Sequence, residues 1–234
     1  MSLLIVLFLF FTSTAQSHAQ SLQDLSQLQD QYKTDCSEYY TKKQIDQQYN
    51  TINSNREHLE SAKNCLITRN KTIGTYMAIL EKNLDKYKNI NTTQTSSLQA
   101  SLHQWIIWLQ DQNQNIINFQ NKDEIKNFAT DFQKKYLLIK KDIYKSIGQS
   151  EGNKYRQIKE ELNSIAQTNP KILNDLSSRF NNTTSYFQNI DSVIQSSLET
   201  KNFDDINSDI KFNLTKIKNE LMDIRNTIVF YYAK

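Results

Sequence analysis

Asn50-Thr51-Ile52-Asn53-Ser54-Asn55-Arg56-Glu57 is the stretch on which the fold turns. Its first five residues are mostly polar turn formers. Ser54-Asn-Arg-Glu57 then matches a capping box, in which Ser and Glu side chains satisfy the free backbone donors of a starting helix. Upstream, Leu22, Leu25, Leu28, Tyr32, Tyr39, Ile45 and Tyr49 mark one stripe of a helix from Leu22 to about Asn50. Downstream, Leu59, Ala62, Leu66, Ile73, Tyr76, Leu80, Leu84 and Tyr87 keep a spacing near 3.5 over about four heptads, a coiled-coil seam. Arg69 falls on that seam and Gly74 beside it.

If the chain reverses between Asn50 and Thr51, residues equidistant from the turn face each other. Cys36 and Cys65 are equidistant from it, and they are the only cysteines. A disulfide between them would staple the hairpin and add roughly 3 kcal/mol. The rival is one continuous helix from Leu22 to Tyr87. At 1.5 Å per residue it would hold the two thiols roughly 40 Å apart.

The same periodicity runs to the C terminus. After the polar break Asn91-Thr-Thr-Gln-Thr95 come Leu98, Leu102, Trp105, Ile106, Leu109, Ile116 and Phe119. Trp105-Ile-Ile-Trp108-Leu109 is apolar on every side, the pattern of a helix buried on several faces or docked on a partner. Asn121-Lys-Asp-Glu124 caps a helix with Ile125, Phe128, Phe132, Tyr136, Ile139, Ile143 and Ile147. Gly148-Gln-Ser-Glu-Gly152 holds two of the three glycines and predicts a turn or hinge before a short helix over Tyr155–Ile165. Asn169-Pro170 is a strong helix start, because Asn caps and Pro suits the first position. The helix that follows carries Leu173, Leu176, Phe180, Phe187, Ile190, Ile194 and Leu198, with a weakly helical middle at Asn181-Asn-Thr-Thr184. Asn202 caps a last helix whose final turn, Ile228-Val-Phe-Tyr-Tyr232, is apolar enough to need a docking site.

Composition agrees with helices. The 234 residues include 3 Gly and 1 Pro, with no Asn-Gly or Asp-Gly for hairpin turns. Sandwiches, barrels and Gly-rich phosphate loops are thereby disfavoured. The expected class is all-α: an elongated antiparallel bundle of coiled-coil hairpins, with about six to seven helices. Residues 20–149 form a long-helix bundle, the hairpin 22–89 plus helices over 95–147. Residues 150–234 either continue that bundle or stand apart from it.

The first residues differ from all the rest. Leu3–Phe11 is an unbroken apolar run, followed by Thr12-Ser-Thr-Ala15 and Ser17-His-Ala19, which carry small residues where a signal peptidase cuts. Residues 1–19 therefore read as a secretory signal peptide, although no Lys or Arg precedes the run. The run is shorter than the roughly 20 apolar residues a bilayer requires. A secreted, periplasmic or cell-surface location follows, and it permits a disulfide. Asn70, Asn91, Asn181, Asn182 and Asn213 begin glycosylation sequons, of use only where the source glycosylates its secreted proteins.

The chemistry on offer is thin. The net charge is +3 with acids and bases interspersed, unlike the clustered basic excess of nucleic-acid binders. No His-x-x-x-His, Glu-x-x-His, CxxC, P-loop or Gly-x-Ser-x-Gly pattern occurs. Glu160-Glu161 and Asp204-Asp205 are sequence neighbours, which point apart on a helix. The expectation is no catalytic residue, no metal and no cofactor.

Arg56, Leu59, Ala62, Cys65-Leu66, Arg69, Ile73, Thr75-Tyr76-Met77 and Leu80, then Ile90 and Trp105-Ile106, resemble a group of uncharacterised secreted helical proteins of candidate-phyla bacteria with reduced genomes. Their Arg-x-x-x-Leu…Tyr-Leu helix has Tyr76-Met77 here. The resemblance covers about a third of the chain. It implies an exported, all-helical envelope protein and brings no activity.

The function expected is that of an exported, non-enzymatic helical bundle acting as a structural or adaptor element through its helix faces. Trp105, Trp108, Phe230, Tyr231 and Tyr232 are the candidate contacts. Trp108 leads, since it lies off the main stripe. The alternatives are a protein that lays amphipathic helices on a membrane surface and a helical ligand carrier or enzyme with a pocket between helices.

Overall fold

The computed structural model describes residues 15–195 and 203–232, and its regular structure there is entirely helical. Six helices follow in order: α1 Ala15–Tyr49, α2 Ile52–Asp85, α3 Thr92–Ile117, α4 Lys122–Gln167, α5 Pro170–Gln195 and α6 Phe203–Tyr232. The chain is an all-α helical bundle. The apolar run Leu3–Phe11 and the cap Asn202 lie outside the described residues. So does the signal peptide expected over 1–19, apart from the backbone of its last residues, which begins α1.

The reversal stands at Asn50. Its φ of 46° is left-handed, a conformation Asn tolerates, and its N–H caps the Asp46 carbonyl at 2.9 Å. The continuous helix from Leu22 to Tyr87 is excluded. Cys36 and Cys65 form a disulfide. The cap lies three residues earlier than expected. Ser54 N–H donates to Thr51 Oγ1 at 3.1 Å and Thr51 N–H donates to Ser54 Oγ at 2.9 Å, a reciprocal box that Thr51 opens and Ser54 closes. Glu57 instead pairs with Lys42 across the hairpin at 2.8 Å.

Two other caps stand where the sequence puts them. Asn121 Oδ1 accepts from the Glu124 N–H at 3.0 Å, and Asn169 Oδ1 accepts from the Lys171 N–H at 3.1 Å.

The turn expected at Gly148–Gly152 does not exist. α4 runs unbroken through it, so the two helices read there are one. A Cβ on Gly148 would stand 3.1 Å from two carbon atoms of the Ile210 side chain. That glycine admits α6 to the surface of α4. Glycine inside a helix costs about 1 kcal/mol against alanine, which close packing of this kind offsets. Between Lys145 and Asn153 nearly every residue is buried, small ones such as Ser146, Gly148, Ser150 and Gly152 included. α5 is likewise unbroken at Asn181–Thr184, where Thr183 and Thr184 donate their hydroxyls to the carbonyls of Arg179 and Phe180.

The chain divides into two compact units. One joins the described residues up to Ile79 with His103–Lys134, and the other joins Leu80–Leu102 with the described residues from Lys135 on. In the first, α1 runs antiparallel to α2, tied at Leu28–Thr72, Asp35–Thr68, Cys36–Cys65 and Lys42–Glu57. α2 runs antiparallel to the later part of α3, with Asn70 bonded to Asn113 at 3.0 Å. In the second, the later part of α4, α5 and α6 form an antiparallel three-helix arrangement. Arg156 holds Asp191 at 2.6 Å between α4 and α5, and Arg179 holds Glu220 and Asp223 between α5 and α6. Its core is aliphatic, led by Ile172, Leu176, Ile190, Ile206, Ile217 and Ile224. One polar layer crosses it. The fully buried Gln149 and Asn153 both bond Thr95, and Asn153 also bonds the Ile90 carbonyl at 3.1 Å, which fixes the start of α3 on α4.

Candidate interaction surface

Trp105 and Trp108 fall in the first unit, both half-buried. They meet edge to face at 6.0 Å, and Trp108 stacks on Phe132 at 5.8 Å. The guanidinium of Arg69 lies 3.6 Å over the Phe132 ring, a cation–π contact that explains a charged residue on the α2 seam. Phe128 and Phe119 extend the series at 5.8 Å steps. Each tryptophan thus packs on a ring of its own unit, Trp105 on Trp108 and Trp108 on Phe132 as well.

The last turn of α6 splits. Ile228 is buried. Tyr231 donates its hydroxyl to Asp175, whose carboxylate holds the phenol above its ordinary value. Tyr232 shares a 2.6 Å hydrogen bond with Thr168. Val229 and Phe230 remain 56% and 58% exposed.

A polar cluster that the sequence did not announce sits at the hairpin turn. Asp46 is only 4% exposed. His58 Nδ1 and Lys122 Nζ lie 2.8 and 2.9 Å from its Oδ2, and Ser54 Oγ lies 3.1 Å from its Oδ1. The hydrogen bond to His58 above all, then those to Lys122 and Ser54, holds the Asp46 carboxyl below its ordinary 3.8, against the opposite pull of burial. Ser54 approaches the carboxylate and not the imidazole, so the three do not form a nucleophile, base and acid in series. The carboxylate ties α1, α2 and the start of α4 together. Its partners stand 8, 12 and 76 residues away, too irregular for a motif.

A groove of about 320 Å³ lies between α1, α2 and α3. Leu28, Gly74, Ala78, Ile106 and Leu109 give it an apolar floor, while Asn70, Thr75, Gln110 and Asn113 add amides and a hydroxyl and Lys71 a single ammonium. None of its lining side chains is a carboxylate, imidazole or thiol. Among the described residues, no group of three or more His, Cys, Asp or Glu could hold a metal ion, and no helix is long and apolar enough to cross a membrane. Of the five sequons, Asn70 is 1% exposed and bonded to Asn113, and Asn213 is buried as well.

The exposed apolar side chains concentrate elsewhere, on the outer face of α6. Phe212, Met222, Val229 and Phe230 are each more than half exposed, at 59%, 52%, 56% and 58%. They lie on the face opposite Ile210, Ile217, Leu221, Ile224 and Ile228, all buried. Between them on that face stand Thr215, Asn219 and Asn226, with Asp223, tied to Arg179, beside the line from Phe212 to Phe230 and with Lys211 and Lys218 on the side of Met222 and Val229. The sequence displays the face as a second three- and four-residue spacing within one helix. The Thr and Asn positions conceal it beside the far stronger aliphatic stripe.

No family model matches the chain, and neither a curated protein nor a solved structure is similar to it.

Proposed function

We propose that the chain is an exported, non-enzymatic helical-bundle protein that works as an adaptor by docking a partner on the outer face of α6. The observation that carries this reading is the row of exposed apolar side chains Phe212, Met222, Val229 and Phe230 along one helix. Four large apolar side chains face solvent on one side of a helix whose opposite side already fills a core. Single exposed apolar residues need no explanation, but an aligned series along one face does. Export is supported by the apolar run Leu3–Phe11 before small residues and by the Cys36–Cys65 disulfide, a bond that persists in oxidising compartments.

A photo-crosslinking amino acid tests the docking. It is placed at Met222 and, as a control, at the exposed Asn182 of α5, in cells that make the protein. One discrete adduct from position 222 and none from 182 is the expected result. No adduct from 222, or the same ladder from both, overturns the reading. Intact mass of the cell-derived protein tests export. An N terminus near Gln16 or Gln20 supports it, and a full-length chain removes it.

A further inference from the structure

We propose that the outer face of α6 receives an amphipathic helix of a partner protein, with acidic residues flanking that helix's apolar seam. The inference rests on the docking reading above and adds the chemistry of the partner.

Phe212, Thr215, Asn219, Met222, Asn226 and Val229 follow one another at alternating steps of three and four, and all are exposed. That is the 3.5-residue period of a coiled-coil seam, and a second helix is the natural object to lie along it. The seam spans about 26 Å at 1.5 Å per residue, enough for several layers of knobs and holes.

Charge selects among occupants. Lys211, Lys218 and Arg225 line one side of the seam at seven-residue steps, one per two helical turns. On the other side stand Lys216, whose ammonium lies 5.4 Å from the Phe212 ring centre, and Asp223. Asp223 is already held by Arg179 at 2.9 Å. The rim is therefore mainly basic, and its one acid shares Arg179 with Glu220. A second copy of the chain fits badly. Laid antiparallel, it sets Lys211 against Arg225 and Lys218 against Lys218 on one flank, and on the other offers Lys216 only an Asp223 that Arg179 already holds. Laid parallel, it sets Lys211 against Lys216 and asks Asp223 to serve Lys218 as well as Arg179. Like charges at such flanking positions specify against a pairing.

An anionic membrane would also satisfy the rim, and the centre of the seam decides against it. Asn219 and Asn226 occupy equivalent positions one heptad apart, between Phe212 and Met222 and between Met222 and Val229. Pressed into the acyl region, each amide would lose its hydrogen bonds to water and gain none. In a helix–helix seam an Asn can bond a polar residue of the facing helix, where it sets register at some cost in stability. The match is then a helix with one or two polar seam residues and with Glu or Asp opposite Lys211, Lys218 and Arg225.

Three synthetic helical peptides of about four heptads test this on the full chain. They share one Leu/Ile seam with an Asn layer and differ only in carrying Glu, Gln or Lys at the flanks. The Glu peptide is expected to bind about tenfold tighter than the Gln peptide, and the Lys peptide not at all. The preference should fade as salt rises from ~0.05 to ~0.5 M. It should invert in the double variant Lys218→Glu/Arg225→Glu, whose helix content is checked by circular dichroism. Met222→Asp should abolish binding of every peptide. Equal binding of the Glu and Gln peptides, both lost in Met222→Asp, overturns the acidic partner and leaves the docking face standing. Binding of no peptide overturns both. A dimer in sedimentation that Met222→Asp dissolves assigns the face to a second copy. Flotation with phosphatidylserine-containing vesicles, lost in the charge-reversed variant, assigns it to a membrane. Either of these last results overturns the proposal.

Discussion

The α1–α2 hairpin and the α5–α6 pair are both long antiparallel helix pairs held by different means. Among the described side chains of α1, Leu25 is the one apolar residue that is buried, and Leu22, Tyr40 and Tyr49 are exposed. α1 stays on α2 through a disulfide, two threonine hydroxyls, a Lys–Glu pair and the Asp46 cluster. α5 and α6 bury aliphatic and aromatic side chains along their whole length, from Ile172 to Ile194 and from Ile206 to Ile228. Apolar burial grows with area and needs no exact geometry. Polar ties and a covalent bond act at points and depend on their partners. The pair with the deep core holds without help from its outer face, which is free to carry the seam of α6. The hairpin has no such surplus.

The largest effect should come from the deep core. Ile217→Ala removes a fully buried side chain at the centre of α6 and is expected to cost about 4 kcal/mol. Urea unfolding followed by circular dichroism measures it. A loss below about 1 kcal/mol would mean that the α5–α6 core repacks freely, and the contrast with the hairpin would weaken.

Next comes the staple. Cys36→Ala/Cys65→Ala should lower stability by about 3 kcal/mol, with faster amide exchange concentrated in α1 and the first turns of α2. Exchange in α5 and α6 should be unchanged. Uniform acceleration along the chain would show that the hairpin and the α5–α6 pair unfold together.

The smallest of the three sharpens the comparison at one carboxylate. Asp46→Asn leaves His58, Ser54 and Lys122 without their charged acceptor and should cost about 2 kcal/mol near neutral pH. The Asp46 pKa is depressed in the folded state, so its contribution is fully present above the ordinary 3.8 and is lost as pH falls through the depressed value. Urea midpoints taken from neutral to acid pH should therefore fall less in Asp46→Asn than in the parent below that point. Parallel curves would remove Asp46 as a pH-sensitive tie of the hairpin.

Much of this was open to reading from local pattern. The seams gave the helices, Asn169-Pro170 and Asn121 gave starts, and the equal distances of Cys36 and Cys65 from the Asn50–Thr51 step made them the pair a reversal there would join. The failures share one cause. Gly148 and Gly152 read as a turn because glycine is common in turns, yet Gly148 answers to Ile210, 62 residues away. Ser54 read as the first residue of a capping box, yet it is the last residue of the box that Thr51 begins, and it also reaches the carboxylate of Asp46.

The sequence by itself marked most of the helical segments, the step at which a first hairpin would reverse and the two cysteines such a reversal would join. Each of these follows from interactions within a few residues or from symmetry about one turn. Only the tertiary structure decided that α4 is a single helix, that Asp46 gathers its three partners, and that the second stripe of α6 faces solvent. Those depend on which surfaces of distant segments come together, and a helical period leaves that choice to packing.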